Sequence, residues 1–327
     1  MNSARQYVLL SVGLAILAAG GIGLFNLVVD PYNRFGFNRL GVYISAERES
    51  KSVQVLRYPH DALLLGNSRI AMIPAVPLEG FHFFNGAFGA ASSEEIYYFI
   101  NRFARKERLV LLGVDLGQFD PSELKGDIFE PPGWGSSLDH LLNLRTAEYS
   151  LRTIGEHWSG QPAALRADGS FDPTGWFALF DRDDPAAVNL QLERLRHTCA
   201  SYRGPPKDGW RFYRRIAERL KGLGIPCVVV VPPVHEVVAR QLQTEAAEPA
   251  RAAYRAWLSE LRTIFPYVVD LSFSSYGAAE NFFKADPVHF KPDVGVRMLN
   301  EQVIPVALEA VGAPPVLEAA KAGGKGF

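Results

Sequence analysis

The sequence predicts an α/β domain with a parallel, doubly wound sheet, preceded by one membrane-spanning helix. Three observations lead to this prediction. The chain opens on an uncharged run from Gln6 to Val29. Short apolar runs that end at glycine or polar residues follow, and segments with helical periodicity alternate with them. Strands that alternate with helices are typical of parallel sheets covered by helices.

The N-terminal run is long enough to cross a bilayer. Tyr7–Val29 is almost wholly apolar, and at about 1.5 Å of rise per residue it spans the hydrocarbon core with some tilt. Arg5 precedes it, which favours a single-pass protein of the inner (cytoplasmic) membrane with a periplasmic domain. A cleaved signal peptide, with Ala18-Ala-Gly20 as the small-residue site, is the alternative. We favour an uncleaved anchor because the apolar run continues beyond that site.

Composition limits the classes of protein that the sequence fits. The 327 residues are 48% hydrophobic, which supports a sizeable core. A net charge of -1 gives no indication of a nucleic-acid partner. Cys199 and Cys227 match neither a metal cluster nor a disulfide framework, and one bridge or two buried thiols are both compatible with the sequence.

The alternating elements can be bounded from their patterns. The predicted strands are Ala62–Leu65, His82–Phe84, Leu109–Val114, Cys227–Val231 and Tyr267–Leu271. The predicted helices are Glu94–Arg105 after the caps Ser92 and Ser93, Gly209–Leu223 after Asp208, a broken helical region from Glu236 to Phe265, and a last helix from Pro292 toward Ala310.

These elements divide the chain into five predicted segments. They are a cytoplasmic N-terminus (1–6), a transmembrane anchor (7–29), a connector of irregular structure (30–59), an α/β domain (60–312) and a disordered tail (313–327). Residues 121–206 break the alternation and form a predicted insertion or lid near the carboxyl edge of the sheet. Long segments at that edge tend to shape substrate sites.

Residues 61–70, DALLLGNSRI, form the first motif that points to chemistry. A buried strand breaks at Gly66 into a turn that presents Ser68 at the carboxyl end of the strand, where parallel sheets bind ligands. A helix that begins there would direct its free N–H groups toward an oxyanion at the serine. A turn with a serine N-cap is the plainer interpretation.

The second motif is Asp286-Pro-Val-His289, on a predicted loop before the last helix. A carboxylate at that spacing can accept the imidazole N–H, fix its tautomer and stabilise the imidazolium. The other ring nitrogen can then take the proton of a serine hydroxyl. Since this loop lies at the same predicted sheet edge as Ser68, we expect the three side chains to converge.

Together, and in this order, the two motifs resemble those of the SGNH (GDSL-like) hydrolase superfamily, over about residues 61 to 310 without the insertion. Three features look closest to a subset of that superfamily: the N-terminal membrane anchor, Asn67 in the serine motif, and the pattern Phe283-x-x-Asp-Pro-x-His-Phe290. This subset includes the alginate O-acetyltransferase-like proteins and the D-alanylation protein of teichoic acid. The resemblance implies a three-layer α/β/α fold with Ser68 as nucleophile, His289 as base and Asp286 as its orienting carboxylate.

The resemblance also implies an oxyanion hole. Asn85-Gly-Ala-Phe-Gly89 matches the second block of the superfamily, which assigns oxyanion donation to the backbone of Gly89, or of Ala90, beside the backbone of Ser68. The third block departs from the pattern, because Asp115 stands where an oxyanion-donating Asn is expected, and a carboxylate would repel the developing charge. Either Gln118 or Asn85 replaces that donor, or Asp115 points elsewhere.

Three further residues are candidates for substrate binding: His235, Asp115 and Gln118. His235 follows a strand, where it could bind substrate, compete with His289 as base, or cap a turn. Asp115, Asp286 and the two histidines could ligate a metal, but they have no tight ligand spacing. We therefore predict no metal and no cofactor.

The predicted function is extracytoplasmic acyl transfer, with acetyl as the expected group, to a cell-envelope or secreted polysaccharide. By resemblance, a membrane-bound O-acyltransferase partner would deliver the acyl group. Two alternatives are an esterase of the same fold that acts on carbohydrate or lipid, and a non-catalytic glycan-binding or scaffold member of an acylation complex.

Overall fold

The structure of the protein is a computed structural model that describes residues 2–42, 47–115, 126–129, 134–204 and 209–312. Gln118 and the predicted tail 313–327 lie outside the described residues, as do the side chains of Trp176 and Cys199. Contacts divide the chain into two compact units. We call Met1–Leu56 with Phe129–Arg166 the anchor unit, and Arg57–Ile128 with Ala167–Phe327 the sheet unit. The predicted insertion is therefore shared between the two units.

A five-stranded parallel sheet forms the core of the sheet unit. Its strand order is β2-β1-β3-β4-β5, and every neighbouring pair is parallel. The strands are β1 Ala62–Leu65, β2 Phe83–Asn85, β3 Leu109–Gly113, β4 Cys227–Val231 and β5 Tyr267–Asp270. β1, β3 and β4 are buried along their whole length, as expected of apolar runs covered on both faces. The predicted α/β class and parallel sheet are thus confirmed.

The strand predictions agree closely with the structure. β1 and β4 have the predicted bounds, β3 and β5 each end one residue earlier than predicted, and β2 is shifted by one residue at both ends. β2 extends to Asn85 because Asn85 pairs with Leu64 of β1, and its backbone N–H donates to the carbonyl of Asp168 at 2.8 Å.

Helices of the sheet unit follow the strands. They are α3 Ser68–Ala71, α4 Ser93–Phe103, α7 Thr174–Phe180, α8 Pro185–Ser201, α9 Arg211–Leu223, α10 Glu236–Leu242, α11 Glu248–Ile264, α12 Pro292–Met298 and α13 Ile304–Ala310. Ser92 caps α4 and forms a capping box with Glu95, as the pattern predicts. The predicted last helix is interrupted by a π-helical segment at Leu299–Val303. Pro305, in the first turn of α13, lacks the N–H that a continuous α-helix would require.

The Asp286–His289 motif lies on a strand, which corrects the prediction of a loop. A two-stranded antiparallel hairpin joins β6 Phe282–Phe283 to β7 Asp286–Phe290, directly before α12. A four-residue polar motif with a proline has no strand-like alternation, so its sequence gives no signal of this pairing.

The anchor unit consists mainly of helices. They are α1 Asn2–Val29, α2 Glu47–Arg57, α5 Trp134–Leu142 and α6 Leu144–Trp158. Within α1, Ser3–Val29 is long and apolar enough to cross a membrane. α2 corrects the prediction of irregular structure up to Tyr58. It is polar in composition, but Glu47 and Glu49 in its first turn and Arg57 in its last are favourably placed for the helix dipole.

Candidate active site

The turn between β1 and α3 requires glycine. Gly66 has φ of 152°, and a Cβ there would lie 2.7 Å from Cγ1 of Ile70 and 3.1 Å from the carbonyl of Gly113. Ile70 itself is fully buried and packs where a side chain at Gly113 would stand. The backbone therefore turns sharply after β1, and Ile70 fixes α3 in place behind it.

Asn67, rather than Ser68, is the N-cap of α3. Its Oδ1 accepts from the backbone N–H of Arg69 at 3.1 Å, and Ser68 is the first helical residue. This corrects the plainer interpretation of Ser68 as a capping serine. Because Asn67 occupies the cap, the Ser68 hydroxyl is not engaged in capping and faces another partner.

That partner is His289. Oγ of Ser68 lies 2.8 Å from Nε2 of His289, and Nδ1 of His289 lies 2.6 Å from Oδ2 of Asp286. Oδ1 of Asp286 accepts from the backbone N–H of Val288 at 3.0 Å and of His289 at 3.3 Å. The structure thus brings together the serine, histidine and aspartate of the two motifs, 221 residues apart in sequence, in the contact order expected of a nucleophile, a base and an orienting acid.

The electrostatics of this chain of contacts favour an ionised Asp286. Burial acts to raise its pKa, since the residue is only 3% exposed, but hydrogen bonds from His289 and from the backbone of Val288 outweigh burial and lower the pKa below its usual value. An ionised carboxylate at Nδ1 holds the proton on that nitrogen. The lone pair of Nε2 is then available to accept from the Ser68 hydroxyl.

Asp115 contacts the two residues that flank Ser68. Its Oδ2 accepts from Nδ2 of Asn67 at 2.5 Å and lies 3.9 Å from Nη1 of Arg69. The guanidinium of Arg69 also donates to the carbonyl of Pro233 and lies 5.6 Å from the ring centre of Phe290. The carboxylate of the third block is thus paired with Arg69 and bound to the cap of α3, while Gln118 lies outside the described residues; the choice between the alternatives, and substrate contact by Asp115, stay predictions.

Arg69 is a residue that sequence reasoning missed. It connects the turn of Ser68 with Asp115, with the loop after β4 and with the strand of His289. A signal was present, because an arginine beside the serine and an acid in the third block have opposite charges. Short motifs alone do not show that such residues meet.

Asn85 is committed to the fold, which corrects its candidate role as an oxyanion donor. It is fully buried, and Nδ2 donates to the carbonyls of Ile70 at 2.9 Å and Ile73 at 2.8 Å. Its Oδ1 accepts from the backbone N–H of Ala87 at 3.0 Å. Both amide hydrogens are used to hold the chain that follows α3, so neither remains for an oxyanion.

Gly89 lies close to the serine turn. The N–H of Phe88 donates to the carbonyl of Gly66 at 3.1 Å, which fixes the loop after β2 alongside that turn. Gly89 is half-buried, and Ala90 follows with φ of 50°, a left-handed conformation unusual for alanine. Oxyanion donation by Gly89 or Ala90 stays a prediction.

His235 caps a helix. Its Nδ1 accepts from the N–H of Val237 at 3.3 Å, its ring centre lies 5.0 Å from that of Phe282, and burial lowers its pKa. These observations favour a neutral imidazole at the start of α10. The hydrogen bond of Ser68 is made to His289, which favours His289 over His235 as a candidate base; the predicted substrate contact of His235 stays a prediction.

The described part of the insertion contacts two segments that carry the site: the chain that follows α3 and the hairpin of His289. Asp168 is buried, and its carboxylate accepts from the N–H of Ala75 at 2.8 Å and the hydroxyl of Ser170 at 2.6 Å, which braces the chain after α3. In α7, the ring of Phe177 lies 5.0 Å from that of Phe283 in the hairpin of His289. No pattern in the sequence predicts these contacts of Asp168.

Cys227 is a buried, free thiol, and burial raises the pKa of its thiol far above the usual value. It therefore remains a packing residue.

No protein-family model matches the chain, and no curated protein matches it.

Proposed function

We propose that the protein is an extracytoplasmic acyltransferase of the SGNH type, which transfers an acyl group, acetyl in the simplest case, to a hydroxyl of a cell-envelope or secreted polysaccharide. One observation carries the proposal: the continuous contacts from Ser68 through His289 to Asp286, at 2.8 and 2.6 Å. A serine hydroxyl on a base that is oriented by an ionised carboxylate is the arrangement that activates a nucleophile.

The first half-reaction forms an acyl-serine. Oγ of Ser68 attacks the acyl carbonyl while Nε2 of His289 takes the hydroxyl proton, and Asp286 stabilises the imidazolium through Nδ1. The tetrahedral intermediate collapses, the bond to the donor breaks, and the imidazolium returns its proton to the leaving group. In the second half-reaction the sugar hydroxyl gives its proton to Nε2, attacks the acyl-serine and releases Ser68 as the hydroxyl.

The oxyanion would be stabilised by backbone groups. The candidate donors are the N–H of Ser68 at the start of α3 and that of Gly89, with no Asn at the third block. One missing donor typically costs about 3 kcal/mol of transition-state stabilisation, or roughly a hundredfold in rate. We therefore expect slow hydrolysis of simple esters. Positioning of the acyl donor and acceptor by partners would offset much of that cost.

The surroundings of the site fit transfer outside the cytoplasm. α1 is long and apolar enough to hold the protein in a membrane. In the proposed topology, which rests on Arg5 before the apolar run, the sheet unit would lie on the periplasmic side. In the proposed role, a membrane-bound O-acyltransferase supplies the acyl group to Ser68. The contact of α7 with the hairpin of His289 supports the insertion as a lid that limits the access of water.

The test compares the wild type, Ser68→Ala and the matched control Ser275→Ala, an exposed serine of the same unit. Polysaccharide acylation is measured in cells, and ester hydrolysis is measured on the purified full chain. We expect acylation to be lost in Ser68→Ala alone, and hydrolysis by the wild type to be slow.

Two other results would contradict the proposal. Rapid hydrolysis that depends on Ser68, with unchanged polysaccharide acylation, would identify an esterase. Full acylation by a folded Ser68→Ala protein would leave only a scaffold role.

A further inference from the structure

Helix α6 has the reverse of the usual amphipathic pattern. The side chains that it buries are small and polar: Thr146, Ser150 and Thr153. Its largest apolar side chains are exposed instead, Leu144 to 71%, Leu151 to 64% and Trp158 to 83%. A helix on a water-soluble domain normally buries its apolar stripe and exposes its polar side.

The exposed apolar residues share one face. Leu144, Leu151 and Trp158 are each seven residues apart, and seven residues fall only about 20° short of two full turns. They line up along one side of the helix, about 10 Å apart along its axis. We call Leu144, Leu151 and Trp158 the apolar stripe.

Polar contacts fix α6 to the end of α1. Asn26 of α1 is almost fully buried; its Nδ2 donates to the carbonyl of Leu141 at 2.8 Å, and its Oδ1 accepts from Oγ of Ser150 at 3.0 Å. The buried polar face of α6 thus turns toward α1, which leaves the apolar stripe on the outside. Unpaired, these groups would each cost about 1–3 kcal/mol, so the orientation is strongly held.

Further exposed apolar side chains lie on α1 and α5. Leu142 at the end of α5 is 54% exposed, and its Cδ2 lies within 3.5 Å of the Cβ position of Gly23. At the same level, Leu24 and Val28 of α1 are exposed to 62% and 63%. Both the membrane-length helix and the α5–α6 hairpin that packs against it therefore expose apolar side chains.

The length of α1 locates these side chains. Ser3–Val29 has 27 residues and is about 40 Å long at 1.5 Å per residue, whereas a bilayer core is about 30 Å thick. Gly23 and Asn26 lie in the last two turns, so a helix that spans the core places them near the membrane surface. Tryptophan is enriched at that level, and flanking arginines such as Arg145 and Arg152 suit lipid headgroups.

We propose that the α5–α6 hairpin lies at the periplasmic surface of the membrane that α1 crosses. The apolar stripe would insert at the boundary between the lipid headgroups and the acyl chains. The occupant of the exposed face is the bilayer that α1 crosses. The hairpin would then hold the anchor unit against the membrane at a second point. This inference does not depend on the chemistry at Ser68.

The test places a fluorophore on the stripe of the full chain. Leu151→Cys and the control Lys221→Cys, an exposed position on α9, are each made in a Cys199→Ser background, labelled with an environment-sensitive dye and reconstituted in phosphatidylcholine–phosphatidylglycerol vesicles. We expect lipids that carry a nitroxide near the headgroup to quench the dye at position 151 at least about threefold more strongly than the dye at position 221. Iodide dissolved in the water should instead quench the dye at position 221 more strongly.

Two other outcomes would overturn the proposal. Iodide quenching at 151 as strong as at 221 would place the stripe in water. Protection that appears only at high protein-to-lipid ratio would assign the face to a second copy of the chain. Thermal unfolding of the labelled Leu151→Cys protein must match that of the wild type, because only a folded protein reports on the stripe.

Discussion

The strands of the sheet unit and helix α6 of the anchor unit bury different kinds of side chain. In the sheet unit, Leu63, Val110 and Val229 form a dry core, and polar groups such as Ser68 gather where the strands end. In the anchor unit, α6 buries threonine and serine and exposes leucine and tryptophan. The first pattern suits a domain surrounded by water, and the second suits an element with lipid on one side. Four predictions test this contrast.

The largest effect is expected on the rate of the proposed acyl transfer, when the contact between Asp286 and His289 is changed. Asp286→Asn should lower kcat roughly 10⁴-fold at neutral pH, because an amide donates to Nδ1 and leaves the Nε2 of His289 protonated toward Ser68. The control Asp293→Asn changes an exposed carboxylate four residues past His289 and should keep kcat within about twofold. The turnover number for ester hydrolysis is measured on both folded variants. Equal losses in both would contradict the assigned role of Asp286.

A smaller effect is expected on the turn that presents the serine. Gly66→Ala should lower the free energy of unfolding by about 3 kcal/mol, since φ of 152° and the contact with Ile70 both oppose a side chain. The control Gly222→Ala lies on α9 with open space around it and should be neutral or stabilising by up to about 1 kcal/mol. Denaturant unfolding measures both. A Gly66→Ala protein as stable as the wild type would refute the requirement for glycine.

The anchor unit should respond to loss of a polar contact rather than an apolar one. Asn26→Val removes the partners of Leu141 and Ser150 and should cost about 2 kcal/mol locally, which speeds hydrogen exchange in α5 and α6 roughly thirtyfold. Leu24→Val, on the exposed side of α1, should leave that exchange unchanged. Exchange is measured on the full chain in nanodiscs. Equal protection in both variants would mean that apolar packing, not Asn26, holds the hairpin.

The smallest effect concerns pH. Burial lowers the pKa of His235 in the folded protein, so below the unfolded value of about 6.5 the unfolded chain binds more protons. The contribution of this group to stability is present above that pH and is lost as pH falls toward the folded pKa. His235→Asn keeps a capping side chain at α10 but cannot titrate. Its unfolding free energy should therefore vary less with pH between about 5 and 6.5 than that of the wild type. Parallel pH profiles would contradict this account.

Local sequence determined the sheet. β1 and β4 begin and end where their apolar runs do, because a strand covered on both faces needs an unbroken apolar segment. Gly66 marked the turn, since few other residues adopt its backbone conformation. The spacing of Asp286 and His289 indicated their contact, because three residues of chain hold the two side chains within reach of one another.

Tertiary structure decided what those groups face. The 220 residues between Ser68 and His289 carry no local signal of their contact at 2.8 Å, which arises where α3 and β7 meet. The pairing of Asp115 with Arg69 and Asn67 also arises only in the folded chain. Likewise, the polar face of α6 is buried only because Asn26 offers it partners. Periodicity shows which residues share a face, but only packing decides which face meets the protein and which is left for its surroundings.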